Sequence, residues 1–375
     1  MHLLSDLLGR PVADIDTPAL VIDLDAMERN LAAMAAFAAQ HKVKLRPHAK
    51  MHKSATLARL QMAHGAVGVC VQKTSEAEAL AALGVNNIYI SNEVVSPFKL
   101  KRVVALANAL DALGGQLAIA VDSLHGLQAL AQAARGQHTV IRVFIEIDVG
   151  HGRCGLAPGA AAVPLAQEIA RHAQLQFGGL QAYHGRAQHF RTVAERREGI
   201  AQVITHVQTT RDALQAAGHD VPLVTGAGTG TFSLEAASGV FGELQAGSYL
   251  FMDRDYASNE RDPAQPRFEH ALFVKSQVMS VCADHAVVDA GHKSHAIDSG
   301  LPAVHGLALD YANGGDEHGI LRGAVLPTLG ATVWLIPGHC DPTVNLHDYL
   351  LGVRGGLQSG KVEQIIRVDA RGMLT

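Results

Sequence analysis

From Val43 onward, short apolar runs rich in branched residues alternate with alanine- and leucine-rich segments of helical period. The runs fall at 43–47, 66–71, 87–90, 117–121, 140–147, 177–182, 222–224 and 242–246. Segments such as 75–83, 97–113 and 193–217 lie between them and are long enough for crossover helices. Strand–helix alternation predicts parallel neighbours, because a parallel pair needs a crossover connection. Eight such units predict a closed (β/α)8 barrel, with an open doubly wound sheet as the alternative.

The flanks read differently. Residues 19–22 form a short apolar run, and Asp25-Ala-Met-Glu28 has capping-box spacing, which predicts a helix to about Gln40. After Tyr249 the alternation stops. Residues 253–267 are polar, contain Pro263 and Pro266, and read as a linker. Beyond them, strand-like runs at 271–281, 285–288, 331–336 and 364–368 have no long helices between them. The expected organisation is α/β: a barrel over 24–260, and a mostly antiparallel β domain built from 1–23 with 261–375.

Composition narrows the setting. The chain has 375 residues and is 48% hydrophobic, enough to bury the cores of both units. A net charge of -4 without a long basic block excludes a nucleic-acid backbone as partner. No apolar stretch reaches the ~20 residues of a membrane span. The opening Met1-His-Leu-Leu-Ser-Asp6 lacks the basic and apolar regions of a secretory signal. The cysteines at 70, 154, 282 and 340 are scattered, which fits neither a disulfide framework nor a four-cysteine zinc site and points to a reducing cytoplasm.

In a parallel barrel the active site gathers at the C-terminal strand ends. The first run ends in Arg46-Pro-His-Ala-Lys50-Met-His-Lys53. A lysine fixed there, crowded by Arg46, His48 and Lys53, is expected to lose its proton more readily than a solvated one and to attack a carbonyl. The seventh run leads into Thr225-Gly-Ala-Gly-Thr-Gly-Thr231 and a helix over 232–237. Its glycines, Gly228 among them, let backbone amides meet an anion, and threonines such as Thr229 add hydroxyl donors. Gly247, Ser248 and Tyr249 at the eighth end complete a phosphate cup. Gln72 closes the second run, Arg153 follows the fifth, and Tyr183 and His184 end the sixth with His189 just beyond. Lysine, phosphate cup and the Tyr183 ring form a set that fits pyridoxal 5'-phosphate, with Arg153 facing the pyridine nitrogen or the ring hydroxyl.

A second constellation, Pro337-Gly-His339-Cys-Asp341, follows the run at 332–336. In an extended segment residues two apart point the same way, so His339 and Asp341 can share one metal ion while Cys340 points away. Nitrogen and oxygen donors without thiolate suit Mn²⁺ or Mg²⁺, and less distinctively Co²⁺ or Zn²⁺.

These motifs, together with Asp16-Thr-Pro-Ala near the start and Tyr183-His-Gly, occur in the order of the D-threonine aldolases, which the chain resembles over nearly its whole length. That family belongs to the alanine-racemase-like, fold-type III pyridoxal phosphate enzymes. The resemblance implies Lys50 as the Schiff-base lysine and His339 and Asp341 as ligands of a divalent metal, Mn²⁺ first. It also implies a homodimer with shared active sites. The implied reaction cleaves a D-3-hydroxy amino acid to glycine and an aldehyde, with His184, His189 or a metal-bound water as the base. The related D-serine dehydratases carry His-x-Cys at the metal position, where this chain has the harder Asp341. D-serine dehydratase and 3-hydroxy-D-aspartate aldolase activities are the alternatives.

Overall fold

Two sheets organise the computed structural model, which describes residues 4–375; residues 1–3 of the expected β domain lie outside the described residues. The first sheet has eight strands: Lys44–Leu45, Val69–Val71, Asn87–Glu93, Gln116–Val121, Ile141–Glu146, Leu175–Ala182, Val224–Gly226 and Glu243–Leu244. From the second strand on, each pairs in parallel with the next, and the last pairs with the first. A His48–Cys70 bridge and a 2.9 Å bond from the Cys70 amide to the Pro47 carbonyl join the first strand to the second. The ring therefore closes into the expected barrel.

Pleating sorts the side chains. Val69, Val71, Ile88, Ile90, Leu117 and Ile119 pack outward beneath the helices, while Cys70, Tyr89, Ala118, Ala120 and Phe144 form a separate cluster. Polar groups in this interior are bonded to one another: Arg46 pairs with Glu243 at 3.1 Å and Tyr89 donates to Gln181 at 2.9 Å.

The second sheet has nine strands, mostly antiparallel. Ala19–Asp23 runs antiparallel to Leu272–Val281 and parallel to Tyr349–Arg354, so the N-terminal run does join it. Four of its strands have no counterpart in the sequence reading: Ala303–Val304, Asp310–Asn313, Gly319–Arg322 and Tyr349–Arg354. The first three are short and partly exposed, and Gly352 interrupts the apolar run of the fourth. A Cβ there would meet Leu24 Cδ2 at 2.9 Å, so Leu24 would have to shift to admit one.

Two local expectations need correction. The helix Leu24–His41 is capped by Asp23, which accepts from the Ala26 amide at 3.1 Å. Asp25 and Glu28 instead receive Arg354, at 2.9 and 2.7 Å, because a guanidinium between two carboxylates outcompetes reciprocal backbone capping. The polar stretch 253–267 is more than a linker. It opens with a short helix, Arg254–Ala257, capped by the buried Asp253.

Burial also sets a pH response. His52 lies wholly inside, with Nε2 3.1 Å from Gln61 Oε1 and Nδ1 accepting from the Ser54 amide at 3.0 Å. Desolvation pulls its pKa down to about 4 from 6.5. Between those values the unfolded chain takes up a proton that the folded chain refuses, so stability is complete above the upper value and falls as pH drops through the window. The loss approaches roughly 3 kcal/mol at its lower end. Chemical denaturation at about pH 7.5 and about pH 5 should show this fall, and His52→Gln should flatten it.

Candidate active site

A single cavity at the C-terminal strand ends brings together Lys50, Gln72, Arg153, Tyr183, His189, Gly228, Thr229, Gly247 and Ser248 from the barrel with His339 and Asp341 from beyond it. A wider groove between Lys275 and Trp334 contains none of these residues. Lys50 sits in the turn Ala49–Met51 that ends the first strand, and the Nδ1 of His48 accepts from its amide at 3.3 Å. Its Nζ lies 3.7 Å from Asp341 Oδ1.

The expected basic crowding of Lys50 is absent. Arg46 is spent on Glu243 at 3.1 Å and Lys53 on Glu76 at 3.2 Å, while burial holds the His48 pKa well below its usual range. Burial alone would depress the Lys50 amine, but the Asp341 carboxylate and the Tyr183 hydroxyl outweigh it, and the pKa rises. Free of any covalent link, the amine is thus held as the ammonium beside Asp341.

The anion cup is built from close approach. A Cβ on Gly228 would meet Gln188 Oε1 at 2.5 Å, and one on Gly247 would meet the His48 carbonyl at 2.6 Å. Gln188 is held beneath the loop by bonds to Thr231 Oγ1 at 2.8 Å and from the Gly230 amide at 3.0 Å. Among the described residues, the amides of Gly228, Thr229, Gly247 and Ser248 have no acceptor. Unsatisfied donors converging on one cavity fit a phosphate. Tyr249 does not contribute as expected. Its ring packs in the apolar core, its hydroxyl accepts from Gln61 Nε2 at 3.2 Å, and its amide is committed to Thr229 Oγ1 at 3.0 Å. The short helix over Ser248–Leu250 turns that side chain inward.

At the opposite wall the Arg153 guanidinium lies 5.9 Å from the centre of the Tyr183 ring and 3.9 Å from Glu146 Oε1. Burial, followed by the neighbouring Glu93, pushes the Glu146 carboxyl up to about 9. Burial and crowding with Glu93 thus disfavour the charged form of the carboxyl that Arg153 approaches. Gln72 bonds His48 Nε2 at 2.9 Å and Ser91 Oγ at 3.3 Å, which fixes both side chains at the wall. Glu93, Asp122 and Cys154 place ligand-type atoms within 4.8 Å of one another nearby. Burial pushes the Cys154 thiol up to about 11, and Arg153 adds a positive charge, so this trio is ill suited to a cation.

The two histidines of the sixth strand end separate. His189 lines the cavity, with Nδ1 2.5 Å from Asp255 Oδ2. Arg191 holds the other carboxylate oxygen of Asp255. Asp255 thus makes Nδ1 the donor and leaves Nε2 free to accept a proton. His184 lies outside the cavity against Phe190 and Gly150, with a buried Nδ1 that has no partner. This corrects its place among the catalytic candidates: alternation along the chain turns its ring away from Tyr183. Asp255→Asn is expected to lower kcat between about 10- and 10²-fold with little change in KM, measured by steady-state kinetics.

Tyr256, from the stretch read as a linker, also lines the cavity, its ring 5.8 Å from that of His189. The sequence signal was available in Asp253-x-x-Tyr256, where an aspartate caps a helix start. Asp253 accepts from the Tyr256 amide at 3.0 Å and from the Cys340 amide at 3.1 Å, tying the cavity wall to the His339 turn. Burial raises its carboxyl to about 6 against those two bonds.

His339 and Asp341 do meet, but not on an extended strand. His339 stands at the N-cap position of the short helix Cys340–Val344, and Asp341 lies in its first turn. His339 Nε2 is 3.5 Å from Asp341 Oδ2, an oxygen that is buried and has no hydrogen-bond partner. Cys340 is buried and points away, its Sγ 3.6 Å from the Met252 carbonyl. An imidazole nitrogen beside an orphaned carboxylate oxygen, with the cavity in front, fits a small hard cation that keeps open positions.

Comparison with known proteins places this architecture. Residues 22–255 match the family model "Alanine racemase, N-terminal domain", and residues 271–353 match "Putative serine dehydratase domain". The chain is 46% identical to a D-threonine aldolase of an Arthrobacter species over 97% of this chain and 95% of that one. It is 41% identical to a 3-hydroxy-D-aspartate aldolase of Paracoccus denitrificans over 97% and 94% of the two chains. A crystal structure of D-threonine aldolase from Filomicrobium marinum superposes with a TM-score of 0.94 at 45% identity, covering 98% of this chain and 99% of that one.

Proposed function

The chain belongs to the alanine racemase N-terminal-domain family, and on that premise we propose that it is a pyridoxal phosphate- and metal-dependent D-threonine aldolase, a lyase that cleaves D-3-hydroxy amino acids to glycine and an aldehyde. The observation that carries this reading is the 3.7 Å approach of the Lys50 amine to Asp341, which puts a cofactor lysine and a metal ligand in one cavity.

Lys50 is the residue that links the cofactor. The amides around Gly228, Thr229, Gly247 and Ser248 would hold its phosphate, and Tyr183, His48, Arg153 and Gln72, which line the same cavity, would hold and orient its ring. Pyridoxal phosphate bound there supplies a sink for the electron pair left when the Cα–Cβ bond breaks. A divalent ion at His339 and Asp341, Mn²⁺ foremost and Mg²⁺ or Co²⁺ next, supplies the positive charge that makes the 3-hydroxyl acidic. His189 Nε2 takes the hydroxyl proton, and Asp255 stabilises the imidazolium that results. The Lys50 ammonium, favoured beside Asp341, holds a proton for the α carbon of the departing glycine.

Asp341 separates the aldolase from a dehydratase with thiolate ligation, because an oxygen donor selects a harder cation. The division at about residue 260, a homodimer with shared sites and a cytoplasmic setting complete the proposal. Free cysteines at 70, 154, 282 and 340 support that setting, and no helix among the described residues is long and apolar enough to cross a membrane. Turnover assays on D-threonine, D-serine and 3-hydroxy-D-aspartate test the reading. D-threonine is expected to give the highest kcat/KM, and a clear preference for D-serine would overturn it.

A further inference from the structure

We propose that Asp298 is a positioning residue for the metal centre, fixing the ring of His339 so that Nε2 faces Asp341. The proposal rests on reading His339 and Asp341 as the metal ligands. Asp298 Oδ2 lies 2.7 Å from His339 Nδ1, and the opposite ring nitrogen lies 3.5 Å from Asp341 Oδ2. One imidazole thus spans two carboxylates. The bond to Asp298 places the proton on Nδ1 and leaves the Nε2 lone pair for a cation, the arrangement that orients histidine ligands in metal sites generally.

Asp298 is itself held in place. Ser299 Oγ donates to Asp298 Oδ2 at 3.1 Å and reaches His339 Nδ1 at 3.4 Å. Its loop is fastened to the ligand turn at two further points. The Ala296 amide donates to Thr343 Oγ1 at 3.0 Å, and that hydroxyl donates to the His339 carbonyl at 2.7 Å. Gly338 lies so near Gly300 that an added Cβ would stand 2.1 Å from the Gly300 carbonyl oxygen. The Asp298 side chain is 51% exposed, so as a bare ion pair it contributes little to the stability of the fold. Its effect should therefore fall on metal affinity.

The test uses full-length, cofactor-loaded protein stripped of metal by a chelator. Mn²⁺ is then titrated and the free ion is followed by electron paramagnetic resonance. Asp298→Ala should raise the Mn²⁺ Kd about 10- to 100-fold, with the melting temperature and cofactor absorbance of the parent. Asp298→Glu should recover part of the affinity. An alanine variant that binds Mn²⁺ with the parental Kd overturns the proposal. If alanine lowers the melting temperature, Asp298→Leu, similar in size but unable to accept the Nδ1 bond, decides by the same criterion. A parent protein that takes up no Mn²⁺, or a His339→Ala variant that binds as well as the parent, overturns the metal reading itself and the role of Asp298 with it.

Discussion

Lys50→Ala should abolish turnover, a fall in kcat of at least about 10³-fold, and remove the long-wavelength absorbance of the lysine-bound cofactor. Lys50 stands at the end of the first barrel strand, and no other lysine can replace it. Lys53 is buried against Glu76 at 3.2 Å and Asn345 at 3.0 Å, and Lys73 does not line the cavity. The fold should survive the change, because the Lys50 side chain is 43% exposed and its backbone turn is held by the His48 cap. The phosphate cup is also intact in such a variant, so cofactor should still associate without the covalent link. Absorbance spectra before and after gel filtration distinguish these states, and an unchanged long-wavelength band would remove Lys50 from its role.

Asp341→Ala should lower kcat/KM roughly 10²-fold or more and make the residual activity indifferent to chelator. Burial would raise this carboxyl, but His339 and Lys50 hold it well below the usual carboxylate range, so it is ionised throughout the working pH range. Removing it has two consequences. The candidate cation loses one of its two protein ligands, and the Lys50 ammonium loses the carboxylate that raises its pKa. Mn²⁺ titration and activity with and without chelator, on parent and variant, measure both consequences. Undiminished, chelator-insensitive turnover in the variant would contradict a metal role.

Much of this was legible from the chain. Eight buried parallel strands appear as apolar runs because both faces are covered, and the crossover helices between them carry their own period. Once the strands are counted, the barrel rule makes each strand end a candidate site position, Lys50, Arg153, Tyr183 and the Gly228–Thr229 loop among them. The misses have physical causes. His184 and His189 share one loop, and only the folded backbone shows that one faces Phe190 and the other Asp255. Tyr249 adjoins the cup in sequence, but a single helical turn aims its ring into the core. The two-residue spacing of His339 and Asp341 suggests a strand, whereas the start of a short helix brings them together. The raised proton affinity of Lys50 is not legible locally, because the partners of Arg46 and Lys53 lie about 200 and about 20 residues away in sequence.

Product analysis after incubation with D-threonine, with chelator and after Mn²⁺ is restored, tests carbon–carbon cleavage most directly. Glycine and acetaldehyde in equal amounts, lost with chelator and regained with the metal, is the expected result. A 2-keto acid with ammonia, or glycine formation that ignores the chelator, would contradict it.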